Sequence, residues 1–457
     1  MKPQTTLSLH PDNPRYFLFR GKPEILVGSS EHYGALLNKG FDYVRYLDEL
    51  AGCGLNVTRV FTGYYRECPG AFGIVKNTLA PLSNDDFVCP WERTDVPGAA
   101  DGGNKFDLEK TSTDYMDRLG DFMHKASERG IVVELCLFCV FYEAANKDAL
   151  WKLSPMHPGN NVNGVETSIN TDTLKFPKLL AYQEKMVRDI VTALNGYDNL
   201  YYEICNESYH CNVSPEWEHH IASVIADTEK SLLKRHLIGR DINNGYEVID
   251  KPDGNISIYN FHYNNHQVVQ DNLRINRVIG CNETGFFGTD PKPYRVQAWQ
   301  MFFSGCGLYI GLDFSFACGF EAGDFLTPDQ PGTGGRAFRR QLKALRDFIT
   351  RHDFVRLNRD VSFIKRCVCG NGFFDGMSDP GKAYLMFVTG FFDYAELAVP
   401  EGRYAITWLN AVSCETEESV IDFPGGGLLK AKAPPFVTDG GGMSNLEAAC
   451  SIVRITP

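Results

Sequence analysis

At 457 residues, with 43% hydrophobic and 12% aromatic side chains, the chain exceeds one small domain and has the apolar content for a large core, which excludes wholesale disorder. A formal charge of −12 argues against nucleic acid as the main partner, because phosphate binding needs a basic face. No run approaches the roughly 18 uninterrupted apolar residues of a membrane helix, so no membrane partner is expected.

The opening "MKPQTTLSLHPDNPRYF" has no apolar core, so no signal peptide is expected. Fourteen cysteines are scattered, many inside apolar runs such as "VELCLFCVF", and read as reduced packing thiols. Together these predict a cytoplasmic protein, or a secreted one if a leader has been removed. "RYFLFRGK" reads as a small hairpin leading into the strand "PEILVGSS" (Pro23–Ser30). "FDYVRYLDELAGCG" places Tyr43, Tyr46, Leu47 and Leu50 at helical spacing, and "LNVTRVFT" (Leu55–Thr62) is the next strand. A polar, Gly- and Pro-rich segment from Tyr64 to Lys105 follows.

"TDYMDRLGDFMHKASERG" predicts a helix closing on Gly130, and "IVVELCLFCVFY" a third strand. "LKFPKLLAYQEKMVRDIVTALNG" is a helix ending at Gly196, and "NLYYEIC" a fourth strand. "PEWEHHIASVIADTEKSLLKR" is helical, with Ser214 as its cap and Pro215 in the first position. "HLIGRD", "ISIYNFHY", "RVIGCNE" and "GLYIGLDFSF" complete eight strands, with "PYRVQAWQMFFSG" and "RAFRRQLKALRDFITR" as helices around the last. This alternation predicts a (β/α)8 TIM barrel. No Gly-rich phosphate loop follows the first strand, against a doubly wound sheet. Beyond Asp360, "AYLMFVTG", "GRYAITWL" and "SIVRITP" are short β-rich runs between turns, which predict an all-β sandwich. The expected division is 1–357 for the barrel and 358–457 for the sandwich.

Two stretches share a motif. "YYEICNESYH" (Tyr201–His210) and "RVIGCNETGF" (Arg277–Phe286) each carry Cys-Asn-Glu and then a hydroxyl residue, at the end of an apolar run. Both fit the N-x-[ST] sequon, yet a strand end inside a barrel mouth is a poor oligosaccharide acceptor. Reacting groups of this fold stand at the carboxyl ends of the strands. Glu207 and Glu283 end the fourth and seventh, three βα units apart, and face each other across the mouth. Glycoside hydrolysis needs such a pair, one acid for the leaving oxygen and one carboxylate opposite.

Asn-Glu ending the fourth strand and Glu ending the seventh resembles the clan A glycoside hydrolases, family 5 in particular. "LAGCGLNVTRV" resembles that family's second-strand segment, "YNFHYNN" its sixth strand, and "FDLEKTSTDYMDRLGDFMHKASERGIVVELCLF" the lead-in to the third strand of related bacterial barrels. The final β module also resembles the sandwich appended to many of these enzymes. The resemblance implies a retaining β-glycosidase acting on a β-linked glucan, mannan or derived oligosaccharide, with no cofactor. Glu207 would be the general acid/base and Glu283 the nucleophile, with Asn206 on the sugar 2-hydroxyl and Arg59 keeping Glu283 ionised. Tyr263 would hydrogen-bond the nucleophile or ring oxygen, and His262 would line the same wall. Where the family places a tryptophan after the eighth strand, this chain has "GLDFSF", leaving Phe314 or Phe316 as the platform, or Asp313 as a polar contact.

Other binding candidates are Glu31 and His32 after the first strand, and His157, Asn161, Trp151 and Trp91 in long loops. Each has a plainer reading as a solvated, turn-forming or loop-pinning residue. Glu203 and Glu134 read as an inner-barrel polar network. No metal site is expected: His219 and His220 are adjacent on a helix and diverge by about 100°. Cys136 and Cys139, three apart on a strand, should face opposite ways. Competing functions are a catalytically silent carbohydrate-binding barrel and a metal-dependent barrel hydrolase, for which only His262 and Asp313 approach a ligand cluster. Walling of the cleft by Tyr64–Lys105 and by Cys318–Gly335 would favour exo action or short substrates. A homo-oligomer is compatible with the composition.

Overall fold

The computed structural model describes residues 6–142, 149–211, 213–432, 434–435 and 446–455. Eight parallel strands form one sheet: β1 (Leu26–Ser30), β2 (Val57–Phe61), β3 (Val132–Cys139), β4 (Leu200–Asn206), β5 (Leu237–Asn243), β6 (Ile258–His262), β7 (Val278–Glu283) and β8 (Leu308–Leu312). The order around the sheet is β1-β8-β7-β6-β5-β4-β3-β2. Asn56 stitches the remaining seam. Its side-chain oxygen accepts from Val27 N (2.8 Å), and its own N–H donates to Val27 O (3.2 Å). The sheet is thus a nearly closed TIM barrel, as expected, with all eight strands at the predicted places.

Helices α1 (Tyr43–Gly52), α2 (Thr113–Glu128), α3 (Pro177–Leu194), α4 (Pro215–Glu229), α5 (Gln267–Asn272), α6 (Lys292–Phe303) and α7 (Arg336–Thr350) lie in the connections. The β5–β6 connection carries none. Local chemistry sets several starts. Asp42 caps α1 through the Val44 and Arg45 N–H groups, and Ser214 caps α4 through Trp217 N, with Pro215 first in the helix.

Strand alternation builds the interior in layers. Inward positions at the amino ends are apolar: Leu26, Val57, Val132, Ile258, Val278 and Leu308 pack together, plugged by Leu7, Phe17 and Phe19 of an N-terminal three-stranded piece. One pleat further along four of the strands the residues turn polar, giving Arg59, Glu134, Glu203 and Asn260, which Asn282 joins from the end of β7. Gly280 makes room there, since a Cβ on it would stand 2.4 Å from Asn260 Oδ1. The polar floor supports the mouth.

Downstream lie β9 (Ile364–Gly370), β10 (Phe374–Asp379), β11 (Ala383–Leu397), β12 (Gly402–Asn410), β13 (Thr416–Phe423), β14 (Leu429–Lys432) and β15 (Leu446–Arg454). All their pairings are antiparallel, and β11 serves two sheets: its first half pairs with β10 and β15, its second half with β9 and β14. Tyr384, Met386, Val388, Ala395, Tyr404, Ile406 and Trp408 fill a core of their own. The predicted all-β module is present. It is bound tightly to the barrel: Trp299 of α6 stacks on Phe387 of β11 (5.0 Å, 3° between planes). Arg295 of α6 also grips Glu447 of β15 through two bonds of 2.7 and 3.0 Å.

Candidate active site

A cavity of about 520 Å³ opens at the carboxyl ends of the strands, and Asn206, Glu207, Tyr263, Glu283 and His32 all line it. Glu207 and Glu283 face one another. Together with His262 each offers a ligand atom within 4.8 Å of the others. Glu207 (φ 50°), Tyr263 (φ 52°) and Tyr33 (φ 57°) are non-glycine residues in the left-handed region, each just past a strand end and each on the cavity wall. Such conformations cost of order 1–3 kcal/mol each, and their clustering here marks the mouth as the place where the fold stores strain.

The two carboxylates have different surroundings. Glu283 accepts from Arg59 Nη1 (3.1 Å) and from the Tyr263 hydroxyl (2.6 Å). Glu207 accepts from Asn244 Nδ2 (3.1 Å) and the Tyr209 hydroxyl (3.3 Å), and its Oε1 stands 3.2 Å from His262 Nδ1. Burial pushes the Glu207 carboxyl up, but the bond to His262 and the charges of His262 and His210 overcome it and hold it at about 2. Burial likewise opposes the charge on His262, yet Asp241, 2.9 Å from Nε2, with Glu283 and Glu207, raises it well above the usual imidazole value. Asp241 itself is lifted to about 6 by burial, against the pull of His262. It also fixes the backbone, accepting from Glu207 N at 2.9 Å.

Arg59 is fully buried and organises the floor. Nη2 donates to Asn206 Oδ1 (2.8 Å), Nε to Glu134 (3.0 Å), and the guanidinium also pairs closely with Glu203. Asn206 in turn donates to the Tyr142 hydroxyl (2.7 Å). Two floor carboxylates with one guanidinium cannot both stay charged. Burial and the Glu203 charge drive the Glu134 carboxyl well up, while Arg59 overcomes the burial of Glu203 and holds it down. Asn282 donates to both, at 2.6 Å each. The second Asn of the Cys-Asn-Glu repeat is therefore a clamp in the floor, unlike Asn206, which stands in the cavity wall.

The remaining candidates divide. His32 lines the cavity, its Nε2 3.3 Å from Glu67 Oε1. Glu31 points away, accepting from Gly34 N and Ala35 N (2.9 and 3.0 Å), and burial lifts it to about 7. Asp313 is bound by Arg339 (2.6 Å) and Ser29 (2.9 Å) and holds the loop after β8 rather than facing the cavity. Phe314 lies behind His32 and behind Phe286, which is the aromatic that reaches the cavity. Phe316 packs on Tyr46. Trp151 packs on Phe141 and His157, and neither Trp151 nor His157 lines the cavity. Asn161 bonds within its own loop, and Trp91 is core.

Cys136 and Cys139 depart from strict alternation. Both reach the interior, Cys136 Sγ 3.9 Å from Arg59 Nη2 and Cys139 Sγ 3.5 Å from Asn206 Nδ2. Glu67, Tyr142, Asp241, Asn244 and Phe286 were not flagged by the sequence. Only Asp241 carries the signal that found Glu207, a carboxylate ending an apolar strand.

Fold and site together define a class: a (β/α)8 barrel with a carboxylate pair at its mouth and a sandwich packed on its side. Solved glycoside hydrolase structures share this fold. A Bacteroides vulgatus protein proposed to be a glycoside hydrolase superposes with a TM-score of 0.67 at 12% identity, over 99% of this chain and 83% of its own. A glycoside hydrolase of family 5 from the same organism gives 0.61 at 13% identity, over 98% and 93%. No family model matches the chain, and no curated protein does.

Proposed function

We propose that the chain is a retaining β-glycoside hydrolase acting on a β-linked glucan, mannan or derived oligosaccharide. The observation that carries this reading is the Glu207–Glu283 pair, 4.8 Å or less between facing oxygens, at the ends of β4 and β7. That spacing is nearer the roughly 5–5.5 Å of retaining enzymes than the roughly 6.5–9.5 Å that leaves room for a water in inverting ones. Glu283, oriented by Arg59 and Tyr263, attacks the anomeric carbon. Glu207 protonates the leaving oxygen, then takes a proton from the water that hydrolyses the glycosyl-enzyme. Asn206, in the cavity wall beside Glu207, contacts the sugar 2-hydroxyl.

The geometry also lends something to a metal-dependent hydrolase, because Glu207, His262 and Glu283 could hold a divalent cation. Arg59, 3.1 Å from Glu283, already supplies the neutralising charge a cation would bring, which favours the metal-free reading. Two measurements separate them. Hydrolysis of aryl β-glycosides should survive a chelator and release the β anomer first from a β substrate, followed by NMR. Glu283→Gln should abolish turnover. Glu207→Ala should lose about 10²–10⁴-fold on poor leaving groups while retaining activity on activated aryl glycosides. Parental rates in both variants would refute the assignment.

A further inference from the structure

One side of the cavity is walled by loops that interlock. Gln330, in the loop after β8, donates to Val75 O (2.9 Å) and Phe314 O (3.0 Å) and accepts from Val75 N (3.0 Å), tying that loop to the one after β2. Beside it Lys76 Nζ stands 5.2 Å from the Phe320 ring centre. The same strap runs on to the loop after β7. Gly288 N donates to Pro331 O (3.0 Å), and Gly332 passes so close that a Cβ on it would stand 1.7 Å from Gly285 O. On the other flank Phe72, after β2, meets Tyr142, after β3, at 5.3 Å. The mouth is therefore closed over β8, β1, β2 and β3. It is open over β5 to β7, where Tyr246, Phe286 and Phe287 are exposed at the rim.

The walled end is built for hydroxyl groups. His32 Nδ1 and Tyr33 Oη are buried there; His32 Nδ1 has no hydrogen-bond partner among the described residues, and the Tyr33 hydroxyl stands beside Arg59 and Glu283. Buried polar atoms are seldom left without a partner, and a ligand that supplies it is the economical reason. With Nε2 set against Glu67, Nδ1 is the ring nitrogen that remains for a sugar hydroxyl, and Glu67 is itself held by the Tyr65 hydroxyl (2.9 Å) and Asn77. Glu67, Glu207 and Glu283 all face the cavity, while Arg59 and His262 are committed to carboxylates at contact distance. The lining histidines are likewise set against carboxylates, His32 at 3.3 Å from Glu67 and His210 at 3.8 Å from Glu207, so among the described residues an anionic sugar would meet carboxylates whose counter-charges are already engaged.

We propose that this end is a blind subsite for a single neutral sugar, so that the enzyme removes one residue at a time from a chain terminus. The inference rests on the glycosidase reading and adds the mode of attack and the charge class of the sugar. The test uses the intact protein with three sets of substrates: 4-nitrophenyl β-glucoside, β-mannoside and β-galactoside; the matching β-biosides and β-glucuronide; and β-linked tetrasaccharides labelled at the reducing end. Expected are hydrolysis of a neutral monoside, none of the glucuronide, and a labelled chain that shortens one unit at a time. Internal cleavage from the first time point, intact disaccharide release from a bioside, or hydrolysis of the glucuronide would overturn the blind subsite and leave the glycosidase reading standing. No hydrolysis of any glycoside would overturn both.

Discussion

His262 has no solvent contact and meets carboxylates on both ring nitrogens: Asp241 at 2.9 Å from Nε2, with Glu207 at 3.2 Å and Glu283 at 3.8 Å from Nδ1. Around this cluster stand Tyr263 and Arg59, bonded to Glu283 at 2.6 and 3.1 Å, Tyr209, whose ring centre is 6.4 Å from that of His262, His210, 3.8 Å from Glu207, and Glu203 in the floor beneath. The directions of shift place the proton on the imidazole: His262 is raised well above 6.5, and Glu207 is held at about 2. On the proposed mechanism the leaving-group proton is then shared by the pair, and its loss is a property of the pair rather than of either residue. The sign follows. The proton is present below the raised imidazole value and lost as pH rises through it, so kcat/KM should fall on the alkaline side well above pH 6.5. His262→Asn removes that reservoir and leaves Glu207 to titrate as a buried carboxyl. The alkaline limb of its kcat/KM profile should move toward acid, and a limb that stays in place would locate the proton elsewhere.

At the scale of the strands, β2 and β6 each carry an apolar residue, then a polar one, then a site residue on the same face: Val57, Arg59 and Phe61, and Ile258, Asn260 and His262. Asn282 is the joint of this arrangement, since its one amide group serves both Glu134 and Glu203 beneath Arg59. Asn282→Ala leaves two buried carboxyl oxygens short of a donor. It is expected to cost about 1–3 kcal/mol, read as a shift of the denaturation midpoint, and to loosen Arg59. A variant as stable as the parent would show that water replaces the amide at no cost. The barrel was legible because each strand is a short apolar run and most are followed by a 3.6-period helix, and these are long-range repetitive signals. Glu207 and Glu283 were legible as carboxylates closing such runs. Glu67, Tyr142 and Phe286 were not, because loops carry no period and their positions follow from contacts between segments distant in the chain. Asp313 and Glu31 show the converse error: a polar residue at the correct strand end can be spent on holding its own loop.

At the scale of the molecule, barrel and sandwich share one continuous apolar interior. Met377, Leu385, Phe387, Leu409 and Ala449 of the sandwich belong to the same buried cluster as the barrel's outer layer. Trp299 is fully buried, and its stacked partner Phe387 comes from the other module. Separating the modules would expose that ring pair and strand Arg295 and Glu447, both buried, without their counter-charges. Neither module can therefore unfold while the other keeps its native surface, and calorimetry of the intact chain should give one transition. Trp299→Ala, at a cost of about 3–5 kcal/mol for a large buried aromatic, should lower that single transition as a whole. Two resolved transitions in the parent would sink the argument, as would a Trp299→Ala profile in which one part moves and the other stays.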